Sequence, residues 1–225
     1  MTRLFVTATG TGVGKTFVTA ALAHRARLAG STLRVVKPLV SGFDPADVGS
    51  DPAVLAAAAG LPFDAATLER ISPWRYRAPL SPDMAAAREG QAIDLDAVIT
   101  LCRAAVAGPE ACVLIEGVGG VMVPLNDRRT VRDWIAALGI PVVLVTGSYL
   151  GTLSHTLTAL VALAGAAIVP RAIVVSDSVE TPLPLAETMA ALGRFADDVP
   201  IIGVPRLSGA QSWRHAPPEL STLLG

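Results

Sequence analysis

A glycine-rich segment near the start of the sequence lies between an apolar run and a segment of helical period. Residues 8–16 read ATGTGVGKT and follow the apolar run at residues 3–7. In such a loop the glycines let backbone N–H groups turn onto phosphate oxygens, and the following helix adds the positive end of its dipole. The lysine then bridges the β and γ phosphates, while the next hydroxyl binds Mg²⁺. The sequence thus predicts a variant P-loop, with Thr9 at the usual first glycine, whose nucleotide-binding residues are Gly12, Val13, Gly14, Lys15 and Thr16.

Short apolar runs alternate along the chain with longer segments of helical period. The runs predict strands at residues 3–7, 33–37, 111–116, 141–146, 172–177 and 200–204. The longer segments predict helices at residues 16–29, 52–59, 84–89, 95–107, 131–138, 154–164 and 185–195. This alternation is typical of parallel strands joined by crossover helices. We expect one domain over residues 1–225, an α/β fold of P-loop NTPase type with a doubly wound, mainly parallel sheet and helices on both faces.

Two segments depart from this rhythm. Residues 38–82 contain scattered Gly, Pro and Asp around one short predicted helix. Long irregular stretches in compact domains are usually functional. We expect this segment to form a lid and a wall of the substrate site, and we expect little regular structure after residue 204.

The composition limits the classes of partner. A hydrophobic fraction of 52% with 16% charged residues favours a buried subunit interface, and hence an oligomer. The net charge of −1 gives no basic field for nucleic acid. The most apolar later stretch, residues 157–170, is interrupted by Gly165, so we expect no membrane segment. Cys102 and Cys112 lack metal-binding spacing and are expected to be buried free thiols of a cytoplasmic protein.

The lysine content is unusual. Of the 18 basic residues 16 are arginine, and the two lysines are Lys15 and Lys37. Lys37 ends a predicted strand, where its ammonium could offset charge on a transferred phosphoryl group. The alternative is an ordinary lysine in solvent at a strand end, and the residues alone leave both open.

Two carboxylates are candidate metal ligands. Glu116 ends an apolar strand before a glycine-rich turn, which places it beside the predicted P-loop. Asp51 follows Ser50 at a predicted helix start, where it could bind Mg²⁺ or simply favour the helix dipole. Both interpretations of Asp51 stay open at this point.

Together these motifs resemble the dethiobiotin synthetase family. The matching segments are Gly12-Val13-Gly14-Lys15-Thr16, Lys37-Pro38, Ser41-Gly42, Ser50-Asp51, Ser81-Pro82, Glu116-Gly117, Gly119-Gly120 and Leu150-Gly151-Thr152 with His155. A large superfamily shares the loop alone, whereas the ordered combination with the later segments is far more specific.

The resemblance implies an ATP-dependent ligase of biotin synthesis that forms a homodimer. In that family CO₂, in equilibrium with bicarbonate, adds to one amine of 7,8-diaminononanoate to give a carbamate. ATP phosphorylates the carbamate, and the second amine closes the cyclic urea. The substrate lies near the dimer interface, with its carboxylate at a helix start that the other subunit contributes.

The resemblance also implies roles for individual residues. The implied Mg²⁺ ligands are Thr16, Asp51 and Glu116. The implied catalytic residues are Lys37, Lys15, Thr11 and Ser41. The implied substrate contacts are Ser41, Leu150, Gly151, Thr152, Leu153 and Ser154. Further nucleotide contacts are implied for Glu116, Ser176, Pro205 and Leu207.

Three departures and two alternatives remain. Ala8 stands where the family commonly has Gly, and Ser154 and Ser176 stand where it usually has Asn. The change at Ser176 leaves the base preference open. One alternative is a nucleotide-switch ATPase of the ParA/MinD type, which usually has a second lysine in the loop and often a basic or amphipathic surface. The other is the nucleotide-binding part of a cobyrinic acid amide synthase, which carries an additional glutamine-hydrolysing domain.

Overall fold

A six-stranded sheet forms the centre of the computed structural model, which describes residues 1–178 and 183–225. Within these ranges the strands are β1 (Thr2–Ala8), β2 (Leu33–Val36), β3 (Leu39–Ser41), β4 (Trp74–Tyr76), β5 (Cys112–Glu116), β6 (Val142–Gly147), β7 (Ala172–Ser176) and β8 (Ile201–Val204). The central sheet has the order β2-β5-β1-β6-β7-β8, and every neighbouring pair is parallel. The six predicted strands are confirmed, with ends that differ by no more than one residue.

Helices cover both faces of this sheet. They are α1 (Lys15–Leu28), α2 (Asp51–Ala59), α3 (Ala65–Ile71), α4 (Pro82–Arg88), α5 (Leu95–Val106), α6 (Val131–Leu138), α7 (Thr152–Ala164) and α8 (Leu185–Gly193). Side chains alternate along β1: Leu4 and Val6 belong to the buried cluster with α1 and α2. Phe5 belongs to the opposite cluster with α5 to α8, where its ring meets Trp134 edge to face at 4.8 Å. The doubly wound α/β prediction is confirmed.

Local sequence signals explain where several helices begin. The Asp94 carboxylate accepts hydrogen bonds from the N–H groups of Asp96 and Ala97 at the start of α5. Thr130 and Asp133 form a reciprocal capping box at the start of α6. Within the described ranges, no helix has both the length and the apolar character that crossing a membrane requires.

The segment at residues 38–82 is more regular than the sequence suggested. It contains α2 and α3 where one short helix was expected, and β3 pairs with β4 in a separate two-stranded parallel sheet. The carboxylate of Asp64 caps α3 through the Thr67 N–H, a signal that the sequence analysis missed. The strands β3 and β4 are only three residues long, too short to show a periodic pattern.

The expectation of little regular structure after residue 204 was wrong. Two 3₁₀-helices, Ser212–His215 and Pro218–Leu224, pack against α1. Their buried side chains Trp213, Leu220 and Leu223 join the cluster on that face of the sheet, and Trp213 packs edge to face on His24. The closely spaced prolines indicated a loop. The apolar residues gave no helical signal, because they pack against α1 rather than against one another.

The strand order fixes where a ligand can bind. Strand β1 lies between β5 and β6. The chain after β1 first forms β2 and β5 on one side of β1, and later adds β6, β7 and β8 on the other side. At such a reversal of strand order, the connections after adjacent parallel strands diverge and leave a crevice at the carboxyl ends. The loops after β1, β2 and β5 all meet there.

Candidate active site

The loop between β1 and α1 has the backbone geometry that only glycine adopts easily. Gly12 and Gly14 have φ angles of 76° and 98°, in the left-handed region that disfavours side chains. A Cβ atom on Gly14 would also lie 2.8 Å from Ser176 Oγ. The loop leads directly into the first turn of α1, whose free N–H groups and dipole favour an anion.

Lys15 lies folded against this loop. Its side chain is buried and donates hydrogen bonds to the carbonyl oxygens of Gly10 and Gly119, at 2.9 and 2.8 Å. Burial first, and the nearby Lys37 ammonium second, lower the Lys15 pKa to about 8. Neutral carbonyls are the only hydrogen-bond acceptors described for this ammonium, so an anionic oxygen at the loop would be a stronger partner.

Lys37 lies between two carboxylates at the carboxyl end of β2. Its ammonium is 2.5 Å from Asp51 Oδ2 and 2.6 Å from Glu116 Oε1. Lys37 and Glu116 are buried, whereas the Asp51 side chain is 44% exposed. Thr16 completes the cluster, because its hydroxyl donates to Glu116 Oε1 at 2.6 Å. We call Thr16, Lys37, Asp51 and Glu116 the ionic cluster.

The charges in the ionic cluster stabilise one another. Burial disfavours a charged Lys37, but the Glu116 and Asp51 carboxylates outweigh it and raise the Lys37 pKa above its ordinary value. Burial would likewise raise the Asp51 pKa, yet the Lys37 ammonium lowers it below the ordinary value. The lysine therefore stays protonated and the aspartate ionised near neutral pH.

One oxygen of Glu116 is buried without a hydrogen-bond partner. Both donors, Thr16 and Lys37, bond to Oε1, and Oε2 has no partner among the described residues. A buried carboxylate oxygen of this kind is costly unless it binds a cation. Oxygen atoms of Thr16, Asp51 and Glu116 are the ligands that Mg²⁺ prefers, with one or two carboxylates beside water and phosphate. The residues present therefore fit Mg²⁺.

Two adjoining cavities open beside the loop. The larger has a volume of about 740 Å³ and contains the predicted residues Thr11, Gly12, Gly14, Lys15, Thr16, Lys37, Ser41 and Asp51 in its wall. The smaller, of about 270 Å³, is lined by the predicted residues Gly12, Val13, Gly14, Ser176, Pro205 and Leu207. Gly12, Gly14 and Phe17 border both cavities. The structure thus brings these predicted residues to two adjoining cavities, whereas Glu116 lines neither and lies behind Thr16 and Lys37, to which it is hydrogen-bonded.

The predicted substrate residues 150–154 lie elsewhere. They connect β6 to α7, and none of them lines either of these two cavities. Leu150 is 82% exposed, whereas Thr152 is buried. The helix begins at Thr152 rather than at Ser154 as predicted, because Gly151, with a φ of 96°, forms its N-terminal cap.

Further residues complete the wall of the larger cavity. Pro79, Leu80, Ser81 and Pro82 line it, and all four belong to the segment 38–82 that was expected to form a wall of the substrate site. Val118 and Val123, on the loop after β5, also line it and were given no role. They are apolar residues without a distinctive pattern, so no signal in the sequence indicated them.

A glycine loop joins β1 of the parallel sheet to α1, and a buried Lys and a Thr hydroxyl lie beside an acidic strand end. These features define a P-loop nucleotide-binding protein. Comparison with known proteins agrees, since the family model AAA_26, described as an AAA domain, matches residues 2–209. The chain belongs to that family and, more narrowly, to the dethiobiotin synthetase family.

Curated relatives establish the narrower family. The ATP-dependent dethiobiotin synthetase BioD of Caulobacter sp. (strain K31) is 49% identical over 215 residues, which cover 95% of this chain and 90% of the relative. The protein of the same name from Acidiphilium cryptum (strain JF-5) is 44% identical over 89% of this chain and 95% of the relative. These matches do not favour the nucleotide-switch or amide-synthase alternatives.

Solved structures support the fold alone. The signal recognition particle receptor FtsY from Elizabethkingia anophelis has a TM-score of 0.50 and 15% identity over 99% of this chain. Chloroplast FtsY from Physcomitrella patens has a TM-score of 0.51 and 17% identity over 100% of this chain. The chain spans 65% and 64% of the length of these two structures.

Replacing Gly14 by Ala tests the loop geometry. The added Cβ would need an unfavourable φ and would press on Ser176, so we expect Gly14→Ala to lower the free energy of unfolding by about 1–2 kcal/mol. It should also weaken binding of a fluorescent ATP analogue. Urea unfolding and a binding titration measure both effects.

Gly10→Ala is the matched control for this loop variant. A Cβ there meets no atom within 4 Å, and the Gly10 φ is not positive. Equal effects of the two substitutions would contradict the role assigned to the Gly14 backbone.

Proposed function

We propose that the chain is the ATP-dependent cyclo-ligase that makes dethiobiotin from 7,8-diaminononanoate and CO₂. Family membership makes it an ATP-dependent ligase of biotin synthesis. The observation that carries the finer proposal is the position of the two lysines. Lys15 and Lys37, the only lysines in the sequence, border the same cavity beside the hydrogen-bonded pair of Thr16 and Glu116.

The chemistry requires positive charge at this point. An amine nitrogen adds to CO₂ and loses a proton, which gives a carbamate anion. A carbamate oxygen attacks the γ phosphorus of ATP and ADP leaves. The second amine then attacks the carbamate carbon and loses a proton, and phosphate leaves as the ring closes. Two anions meet in the phosphoryl transfer, so preorganised cations lower its barrier.

Lys15 and Lys37 supply these cations from the protein. Lys15 would exchange its carbonyl partners for phosphate oxygens, and Lys37 would contact the transferred phosphoryl group. Thr11 and Ser41, also in the cavity wall, would donate hydrogen bonds to phosphate and carbamate oxygens. Thr11 belongs to the glycine loop and Ser41 to β3.

We assign Mg²⁺ to the oxygens of Thr16, Asp51 and Glu116. When bound there, the ion would supply two positive charges against the triphosphate. The buried, unpartnered Glu116 Oε2 supports this assignment. The smaller cavity, with Ser176, Pro205 and Leu207, would hold the nucleoside base.

We also propose a homodimer in which residues 150–154 reach the partner's substrate. Two observations support it: residues 150–154 line neither of the two cavities of their own chain, and the apolar side chains of Leu150 and, further along α7, Val161 are exposed. The buried free thiols Cys102 and Cys112 suit a cytoplasmic location. Packing of the C-terminal 3₁₀-helices on α1 supports one domain over residues 1–225.

Phosphate release from Mg-ATP tests the function. We expect release that requires both 7,8-diaminononanoate and bicarbonate, with one dethiobiotin formed for each phosphate. Omitting each component in turn is the control. Phosphate release at the same rate with and without the diamine would instead indicate a nucleotide switch.

Lys37→Gln tests the phosphoryl-transfer role. The substitution keeps a hydrogen-bond donor beside Glu116 but removes the charge, so we expect kcat to fall about a hundredfold. The KM for ATP should change much less, because Lys15 and the loop still bind the phosphates. Steady-state kinetics of dethiobiotin formation measure both constants.

Arg129→Gln is the matched control for this charge removal. Arg129 forms a surface ion pair with Asp96 and lines neither cavity, so its loss should leave kcat unchanged. A near-normal kcat in Lys37→Gln would remove Lys37 from the mechanism.

Glu116→Gln tests the metal assignment. The amide that replaces Oε2 or Oε1 is a poor Mg²⁺ ligand, so the Mg²⁺ concentration for half-maximal activity should rise about tenfold or more. Glu69→Gln, at an exposed ion pair with Arg75, is the control and should leave the titration unchanged. An identical titration for Glu116→Gln and the wild type would reject the assignment.

A further inference from the structure

Four threonine hydroxyls meet in a buried network between the glycine loop and the start of α7. Thr146 Oγ1, at the end of β6, lies 3.1 Å from Thr9 Oγ1, 3.0 Å from Thr152 Oγ1 and 2.9 Å from Thr156 Oγ1. The side chains of Thr146, Thr152 and Thr156 are fully buried. We call these four residues the threonine network.

The direction of each hydrogen bond follows from the chemistry of a hydroxyl. The Thr152 hydroxyl contacts the Gly147 carbonyl at 2.5 Å, and a carbonyl only accepts, so Thr152 donates there. Having one proton, Thr152 must accept from Thr146. Thr146 has then used its own proton, so Thr9 and Thr156 must both donate to it. Thr146 is thereby saturated, with one bond donated and two accepted.

The network joins two loops that are separate in sequence. Thr9 belongs to the glycine loop, and its backbone N–H also bonds to the Val145 carbonyl at 2.9 Å. Thr152 is the first residue of α7, directly after the exposed Leu150 and the left-handed Gly151. On the outer side of this turn, Tyr149 and His155 form a 2.8 Å hydrogen bond. The turn is therefore fixed from inside by the hydroxyls and from outside by the ring pair.

Buried hydroxyls are not needed to fill this space. The residues before Thr146 in β6 are all apolar, and valine matches threonine closely in shape. Burying a hydroxyl costs free energy unless its hydrogen bonds are satisfied, whereas satisfied networks hold their members in one geometry. The network thus fixes the α7 start more tightly than apolar packing would.

We propose that the threonine network positions residues 150–154 relative to the glycine loop of their own chain, so that the turn presents its backbone correctly to the 7,8-diaminononanoate bound in the partner's cavity. Thr146 is accordingly a positioning residue for substrate binding, not a catalytic one. The inference rests on the proposed function of the 150–154 turn. Beyond that function, it identifies the hydrogen-bond network that holds the turn and places Thr146 at the centre of this network.

The test compares Thr146→Val with Thr146→Ser in the full-length enzyme. Valine removes the hydroxyl at nearly constant volume, whereas serine retains it. We expect Thr146→Val to raise the KM for 7,8-diaminononanoate about tenfold, with the KM for ATP within about twofold of wild type. Thr146→Ser should restore the KM for the diamine. Amide hydrogen exchange in residues 148–156 should be faster in Thr146→Val and near wild type in Thr146→Ser.

Thr188→Val is the matched control. Thr188 is a buried threonine whose hydroxyl bonds to the Pro184 carbonyl at the start of α8, outside both cavities. It should change neither KM. If Thr146→Val does not fold, Thr156→Val removes one donor at the edge of the network and should raise the KM for the diamine less, in the same direction.

The outcomes separate this inference from the proposed function. An unchanged KM for the diamine in Thr146→Val overturns the inference alone, provided the wild type makes dethiobiotin. An equal rise in the KM for ATP, or the same defect in Thr146→Ser, also overturns it by showing general loosening. A wild-type enzyme without diamine-dependent turnover overturns the proposed function, and the inference with it.

Discussion

The ion pair between Lys37 and Glu116, extended by Asp51, ties together the elements around the crevice. Lys37 follows β2, Glu116 ends β5, and Asp51 begins α2. Charges buried as deeply as those of Lys37 and Glu116 are stable only when paired with an opposite charge. Removing one partner of a buried pair typically lowers the free energy of unfolding by about 3–5 kcal/mol. The central sheet, the α2 helix and, through Thr16, the first turn of α1 therefore take up their relative positions around one set of contacts.

The same contacts explain why this site would need a metal ion. Lys15 and Lys37 carry two positive charges, and Asp51 and Glu116 carry two negative ones, so the four groups sum to zero. A triphosphate would meet little net attraction beyond the N–H groups of the loop. Under the proposed assignment, the Asp51 and Glu116 oxygens would hold Mg²⁺, and the Lys37 ammonium would then contact phosphate oxygens beside Lys15. The ionic cluster holds Lys37 in place, already protonated, until that exchange.

Much of this arrangement could be predicted from sequence, because strands that are buried on both faces read as continuous apolar runs. Each predicted residue at a strand end, Lys37 and Glu116 above all, lies at the crevice as expected. The short strands β3 and β4 and the 3₁₀-helices at the C-terminus were missed, since tertiary contacts decide them rather than local pattern. The threonine network was missed for the same reason: nothing in the sequence shows that Thr9 and Thr146 are adjacent.

An anomalous difference map would test the central claim most directly. Crystals grown with Mn²⁺ and a non-hydrolysable ATP analogue replace Mg²⁺ by an ion that scatters anomalously. The account predicts one strong peak in coordination contact with Thr16 Oγ1 and beside the carboxylates of Asp51 and Glu116, with Lys37 turned towards the γ phosphate. A peak remote from Glu116, with the nucleotide clearly bound and Lys37 still between both carboxylates, would contradict it.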